Sequence, residues 1–407
     1  MSKFIYIIGF SIYGIVSILL FFIASFFYLK SDIGVLAIVI ALQYYLSQIV
    51  GLGLHYSSLY HQSLTSSKNN ELNHLLNVLL ISLVITTVLG PFYNDILTFF
   101  IGDSNFILFL HLVIYGIIVS INKVFYSILN ANRKFNLLGF IFILKSAVSI
   151  ISLIISVYSN VLIYWYLVYV YLIPELFIFL LIPYYFIKNY NKSIWNNFKS
   201  NLINDVKFGL KSFWGAFLLE ATTKLDILMV SHYNGIIVSG TYGFIVIIFE
   251  VILQYTTLVR SYLNPIFTSS YITLSKIDFF KFTKSKIKLS YLLTIPVIII
   301  FCLVFCFSIF NFPLLNKYVS GIYTLLIFAF FLIVTCGYFI TFQFFSQIGK
   351  PLIQSNLFLV LFISNLILNL VLIPIFGMIG AAAATGLSYL IYILAFHLKF
   401  KKILFCE

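Results

Sequence analysis

The sequence predicts an all-α integral membrane protein of twelve transmembrane helices, and three observations lead there. Of its 407 residues 62% are hydrophobic and only 9% are charged, whereas a soluble domain carries roughly 25% charged residues. Apolar runs of about twenty residues, the length needed to cross a bilayer, recur from one end of the chain to the other. Lysine and arginine fall almost entirely in alternate connections, the signature of cytoplasmic loops.

The twelve spans, in order, are 4–29, 33–59, 73–101, 105–130, 135–157, 161–187, 208–231, 236–268, 288–311, 318–346, 352–375 and 377–398. Lys3 precedes the first, which is too long for the apolar region of a signal peptide and reads as a helix. Turns such as Lys30-Ser31-Asp32 and Gly102-Asp103-Ser104 are short, and only 60–72, 188–207 and 269–287 are appreciable. With the N-terminus inside, the cytoplasmic segments collect eighteen of the Lys and Arg residues, and the outer connections hold only Lys30 and Lys317. The even number of spans returns the C-terminus to the cytoplasm. The formal charge of +13 is therefore mostly a topology signal, and nucleic acid is excluded as a partner. The run Lys281 to Lys288 reads either as a solvated inner loop or as a contact with anionic lipid.

The loop 188–207 is the longest polar break and falls at the midpoint, dividing the chain into six-helix lobes at 1–195 and 196–407. Six is even, so both lobes enter the membrane in the same direction. An axis relating them would run along the membrane normal, with a site between them.

Eight ionisable residues lie within the spans: Glu175, Glu220, Asp226 and Glu250 against Lys123, Lys145, Lys224 and Arg260. A charge at a helix centre costs about 2.5–3.5 kcal/mol even on the mildest insertion scale, so these groups must pair or face water. The seventh span carries three of them. Glu220 and Lys224 stand four apart with the acid first, the favourable order for an intrahelical pair, and read either as a packing ion pair or as a cavity-lining pair. Asp226, two residues beyond Lys224, is turned about 200° away and must meet a neighbouring helix or the outer vestibule. Lys145 is too deep to snorkel; Lys123 and Arg260 are near enough to the inner interface to do so. Glu175 follows Pro174, which frees a backbone carbonyl and offers a hinge, an ion site or a kinked packing helix.

Catalytic arrangements are missing: there is no HExxH, GxSxG or GxxxxGKS. The six histidines are dispersed and the four cysteines lie in or beside apolar spans, so neither a metal site nor a disulfide framework is expected. Tyrosines crowd the span ends, as in an interfacial belt.

Two stretches resemble a known family. Ala221–Phe244, ATTKLDILMVSHYNGIIVSGTYGF, is similar to the seventh-helix signature of polysaccharide flippases, with Asp226, Gly240 and Tyr242 at the matching positions. Asn365–Tyr389, NLILNLVLIPIFGMIGAAAATGLSY, resembles their Asn-rich eleventh helix, Pro-x-x-Gly turn and small-residue twelfth helix, through Asn365, Asn369, Pro374, Gly377, Gly380 and alanines 381–384. Leu46–Tyr60 and Asn130–Phe135 are also similar. The resemblance is to the Wzx-type flippases of O-antigen and capsule repeat units, in the superfamily of MATE exporters and lipid II flippases. It implies a V-shaped, MATE-like pair of six-helix lobes around a central cationic cavity, in a bacterial cytoplasmic (inner) membrane. The substrate it implies is an undecaprenyl-diphosphate-linked oligosaccharide, its diphosphate on Lys145, Lys224, Lys123 or Arg260. It implies alternating access coupled to H+ or Na+ through Glu220, Asp226, Glu175 or Glu250, with no resident cofactor. Membrane lipids, a polysaccharide polymerase and a chain-length regulator are the partners it suggests. Two other readings stand beside it: a MATE-type drug or metabolite exporter, and a membrane polysaccharide polymerase or ligase. The last would be expected to show a large outer loop, and no outer connection exceeds about ten residues.

Overall fold

In hydrocarbon a backbone can satisfy its own polar groups by coiling into helices, and the computed structural model is helical almost throughout. It describes residues 2–65, 68–102, 106–158, 164–187 and 198–405; the first half of the 188–207 connection lies outside them. Contacts group the chain into two units, Met1–Trp214 and Gly215–Glu407.

The first unit contains α1 (Ser2–Phe27), α2 (Lys30–Gly51), α3 (Leu54–Thr65), α4 (Lys68–Ile101), α5 (Phe106–Ala131), α6 (Phe135–Tyr158), α7 (Tyr164–Ile187) and the start of α8 (Phe198–Asn234). Helices α2 and α3 are the second span, broken where Leu52 and Gly53 turn left-handed at φ 42° and 68°. A side chain on Gly53 would sit 2.6 Å from the Gly209 carbonyl of α8, so the break admits the first turns of α8. Helices α1 and α6 approach closely because Gly9 and Gly139 face each other: a Cβ on Gly139 would lie 2.5 Å from the Ile5 carbonyl. Small residues of this kind let helices pack where lipid removes the hydrophobic drive between them.

The second unit continues α8 and adds α9 (Ile236–Thr273), α10 (Lys276–Asn311), α11 (Ile322–Thr335), α12 (Phe344–Gln347) and α13 (Pro351–Phe405). The tenth span is not one α-helix. It runs as a 3-10 stretch Pro313–Gly321, then α11, a second 3-10 stretch Cys336–Gln343 and α12. Where α11 passes into the second stretch, carbonyls take donors from α10: Tyr291 OH donates to Val334 O at 2.5 Å and Ser290 Oγ to Cys336 O at 3.5 Å. Helix α13 holds the last two spans, joined at Gly377, whose φ 60°, ψ −137° is not helical. Glycine adopts such a backbone without the penalty a Cβ brings, and Pro374 precedes it.

Nine helical segments among the described residues are long and apolar enough to cross a membrane. One of these is α13, with two spans; α8 and α9 carry five of the eight intramembrane charges. The set is consistent with twelve crossings in a multi-pass membrane protein.

Candidate functional site

Each unit gathers its own share of the eight charges. In the first, Lys145 of α6 and Glu175 of α7 form a buried ion pair, Nζ to Oε1 at 2.5 Å, with the residues 4% and 5% exposed. Asn122 of α5 donates to the other oxygen, Oε2, at 2.8 Å and to the Glu175 carbonyl at 2.9 Å. The ammonium also lies 4.2 Å from the ring centre of Tyr13, a cation–π contact. Pro174 supplies no N–H to the carbonyl four residues back, Val170 O, and Ser152 Oγ of α6 lies 3.4 Å from it as donor. That contact ties α6 to α7 at the carbonyl the proline leaves free. Lys123 of α5 is only partly buried; its Nζ reaches Ser47 Oγ at 3.3 Å and lies 5.7 Å from the Tyr44 ring centre.

In the second unit Lys224 of α8 pairs with Glu250 of α9. The partner named by spacing was Glu220, one turn away on the same helix. Helices α8 and α9 lie alongside, so the carboxylate across the groove closes on the ammonium. The pair is partly open, its side chains 11% and 25% exposed. Glu220 is half-buried. Arg260, towards the other end of α9, donates to Thr257 Oγ1 at 3.3 Å.

Asp226 is 2% exposed and sits at the centre of a hydroxyl and amide network. Tyr242 OH of α9 donates to Oδ2 at 2.5 Å, Thr385 Oγ1 of α13 to the same oxygen at 3.3 Å, and the Ile227 N–H to Oδ1 at 2.9 Å. Asn365 Nδ2 donates to Thr385 Oγ1 at 3.3 Å and Asn369 Nδ2 to Asn365 Oδ1 at 3.0 Å. The adjacent α9 and the distant α13 therefore converge on one carboxylate of α8, as the turn of Asp226 away from Lys224 requires. The Asn369 Oδ1 is buried with no hydrogen-bond partner among the described residues.

A third cluster was missed by sequence reasoning. Asp205 stands on α8 before its crossing segment and is 3% exposed. It accepts from Ser57 Oγ, His74 Nδ1 and Asn77 Nδ2, each at 2.7 Å. Burial alone would raise its carboxyl, but these three bonds and the His74 charge hold it below the ordinary aspartate range. The 188–207 segment reads as a polar linker, which hides that its last turns are helical and docked. The available signal was the lone acid among the basic residues of that segment. Among the described residues, no group of three or more His, Cys, Asp or Glu gathers as a metal site.

No protein-family profile matches the sequence, and no curated protein sequence matches it. Solved structures do. The chain is similar over 98% of its length to 98% of an inward-facing multidrug resistance MATE family transporter of the MOP superfamily, with a TM-score of 0.70 and 15% identity. It is similar over 97% to 87% of the lipid II flippase MurJ in an inward closed conformation, at 0.68 and 19%. A MOP superfamily transporter from Pyrococcus furiosus, described for the reverse polarity of its binding pocket, aligns over 98% of this chain and 95% of its own, at 0.57 and 13%. The chain has the all-helical fold of these MOP superfamily transporters.

Proposed function

We propose that this protein is a flippase that moves an undecaprenyl-diphosphate-linked oligosaccharide from the inner to the outer leaflet of a bacterial cytoplasmic membrane, for O-antigen or capsule assembly. One observation carries the reading. Among the residues on which the resemblance to polysaccharide flippases rests, Asp226 and Tyr242 of one stretch and Asn365 and Asn369 of the other meet in a single network. A full-length fold shared with a lipid II flippase supports the same class. The protein acts on its substrate by transport and not by chemistry on it.

In this reading an intramembrane cation receives the diphosphate, and Lys123 of the first unit or Lys224 of the second, each less buried than Lys145, is the better candidate. Asp226 is the coupling carboxylate for H+ or Na+, because hydroxyl donors can turn away from it without leaving a buried cation alone. A second reading, export of an organic cation, is favoured by the equal number of acids and bases in the spans and by the MATE likeness.

Proteoliposomes carrying a fluorescent undecaprenyl-diphosphate oligosaccharide separate the two. Flipping by the wild type, reduced in Lys123→Gln and Lys224→Gln and dependent on an ion gradient, is the expected result. A wild type that moves no lipid but exports an organic cation would replace the first reading by the second.

A further inference from the structure

The exposed face of α10 changes character along one stripe. Lys281, Lys284 and Lys288, spaced three and four apart, share a helix face, and all three are exposed. The same stripe continues as Leu292, Ile299, Leu303 and Phe307, exposed by 65%, 45%, 65% and 64%. Phe279, Thr283, Ile287 and Ser290 form the opposite, buried face. From Lys288 to Phe307 the helix rises about 28 Å, close to the thickness of a hydrocarbon core. The aliphatic stripe is therefore the lipid-facing side, and the lysines below it span the headgroup layer.

A second cluster joins them. Phe280 of α10 stacks on Phe400 of α13 with ring centres 5.6 Å apart, and Phe279 meets the same ring edge-on at 6.3 Å. Lys284 lies 4.7 Å from the centre of the Phe280 ring, so it is brought beside the exposed Lys399, Lys401 and Lys402 that flank Phe400. The acid nearest in sequence, Asp278, is engaged at the start of α10, where Ser275 Oγ donates to its Oδ2 at 2.6 Å and accepts from its N–H. None of the three ion pairs among the described residues involves these lysines. Three lysines in line with an exposed aliphatic stripe, and three more flanking Phe400, none with a carboxylate partner among the described residues, match a lipid with an anionic head and two acyl chains.

We infer that the α10–α13 edge is a binding surface for anionic phospholipid of the inner leaflet, held as a resident lipid and distinct from any transported one. Acyl chains lie along Leu292 to Phe307, and the phosphate is shared between the two lysine clusters.

The test uses the full chain in phosphatidylcholine nanodiscs containing a minor fraction of phosphatidylglycerol, with the lipid retained on the released protein counted by native mass spectrometry. Wild type is expected to retain phosphatidylglycerol above its share of the bilayer. Lys281→Gln/Lys284→Gln/Lys288→Gln should lower that enrichment by roughly fivefold for each lysine at low salt. The matched Arg triple should keep it, which separates lost charge from lost folding. Lys207→Gln/Lys211→Gln, exposed at the start of the seventh span in the first unit, should behave as wild type. Retention in proportion to the bilayer, or equal enrichment in the Gln triple, would overturn the inference. Because nothing in the readout depends on flipping, failure here leaves the transport reading standing.

Discussion

Glu175 in the first unit and Asp226 in the second are almost equally inaccessible, yet they are held by opposite means. Glu175 faces an ammonium and an amide, and its charge is cancelled by Lys145 within the same layer of helices. Asp226 faces two hydroxyls and a backbone N–H, while the nearest lysine in sequence, Lys224, is engaged with Glu250. A carboxylate locked to a buried cation can be released only by stranding a charge, which fixes packing. One held by hydroxyls can exchange its donors for a proton or a cation, because each hydroxyl also has lone pairs to offer. The geometry suits the first carboxylate to architecture and the second to the exchange proposed above.

The largest expected effect tests the locked side. Lys145→Met strands Glu175 and should cost about 3–5 kcal/mol, read as a lowered unfolding midpoint in detergent. Lys145→Met/Glu175→Gln should regain most of it. A Lys145→Met protein as stable as wild type would break the contrast. Asp226→Asn should lower stability by only about 1–2 kcal/mol, since the amide oxygen still accepts from Tyr242 or Thr385, while transport becomes insensitive to the ion gradient. If stability falls as far as in Lys145→Met, Asp226 is architectural too. Lys224→Gln, in the partly open pair whose carboxylate is 25% exposed, should cost well under Lys145→Met, with its main effect appearing in substrate flipping.

The smallest effect is one of pH. The Asp205 carboxyl is held below its unfolded value, so its contribution is complete above about pH 4, the unfolded aspartate range, and is lost as pH falls through the folded value. The melting-temperature difference between wild type and Asp205→Asn should therefore be constant near neutrality and shrink in acid. A difference that grows on acidification would reverse the sign and remove Asp205 as an anionic anchor.

Much of this arrangement was legible in the residues because lipid enforces simple rules. Four acids against four bases announced pairing, and the 200° turn between Lys224 and Asp226 announced that Asp226 looks to other helices. The partner of Lys224 was not legible. Spacing along one helix is visible in a sequence, but the distance from Lys224 to Glu250 depends on how α8 and α9 pack. Nor was Asp205, whose polar surroundings look like linker until α3 and α4 close over it. The tenth span, read as one continuous helix, has two 3-10 stretches that composition does not reveal.

The second of those stretches has a consequence for which residues can touch. Each residue wound at 3-10 pitch advances 120° instead of 100°, so the eight residues Cys336–Gln343 put α12 about 160° out of phase with α11. Carried through as an α-helix, the face of Leu332 would reappear at Gln343 and Ser346. Instead those two are exposed and Phe344 and Phe345 are fully buried. There Phe344 meets Phe267, Phe279, Phe396 and Phe400. A change of winding towards the end of the span acts as a phase shifter, converting a run whose aromatic pair would otherwise point at lipid into the wedge at the centre of an aromatic cluster.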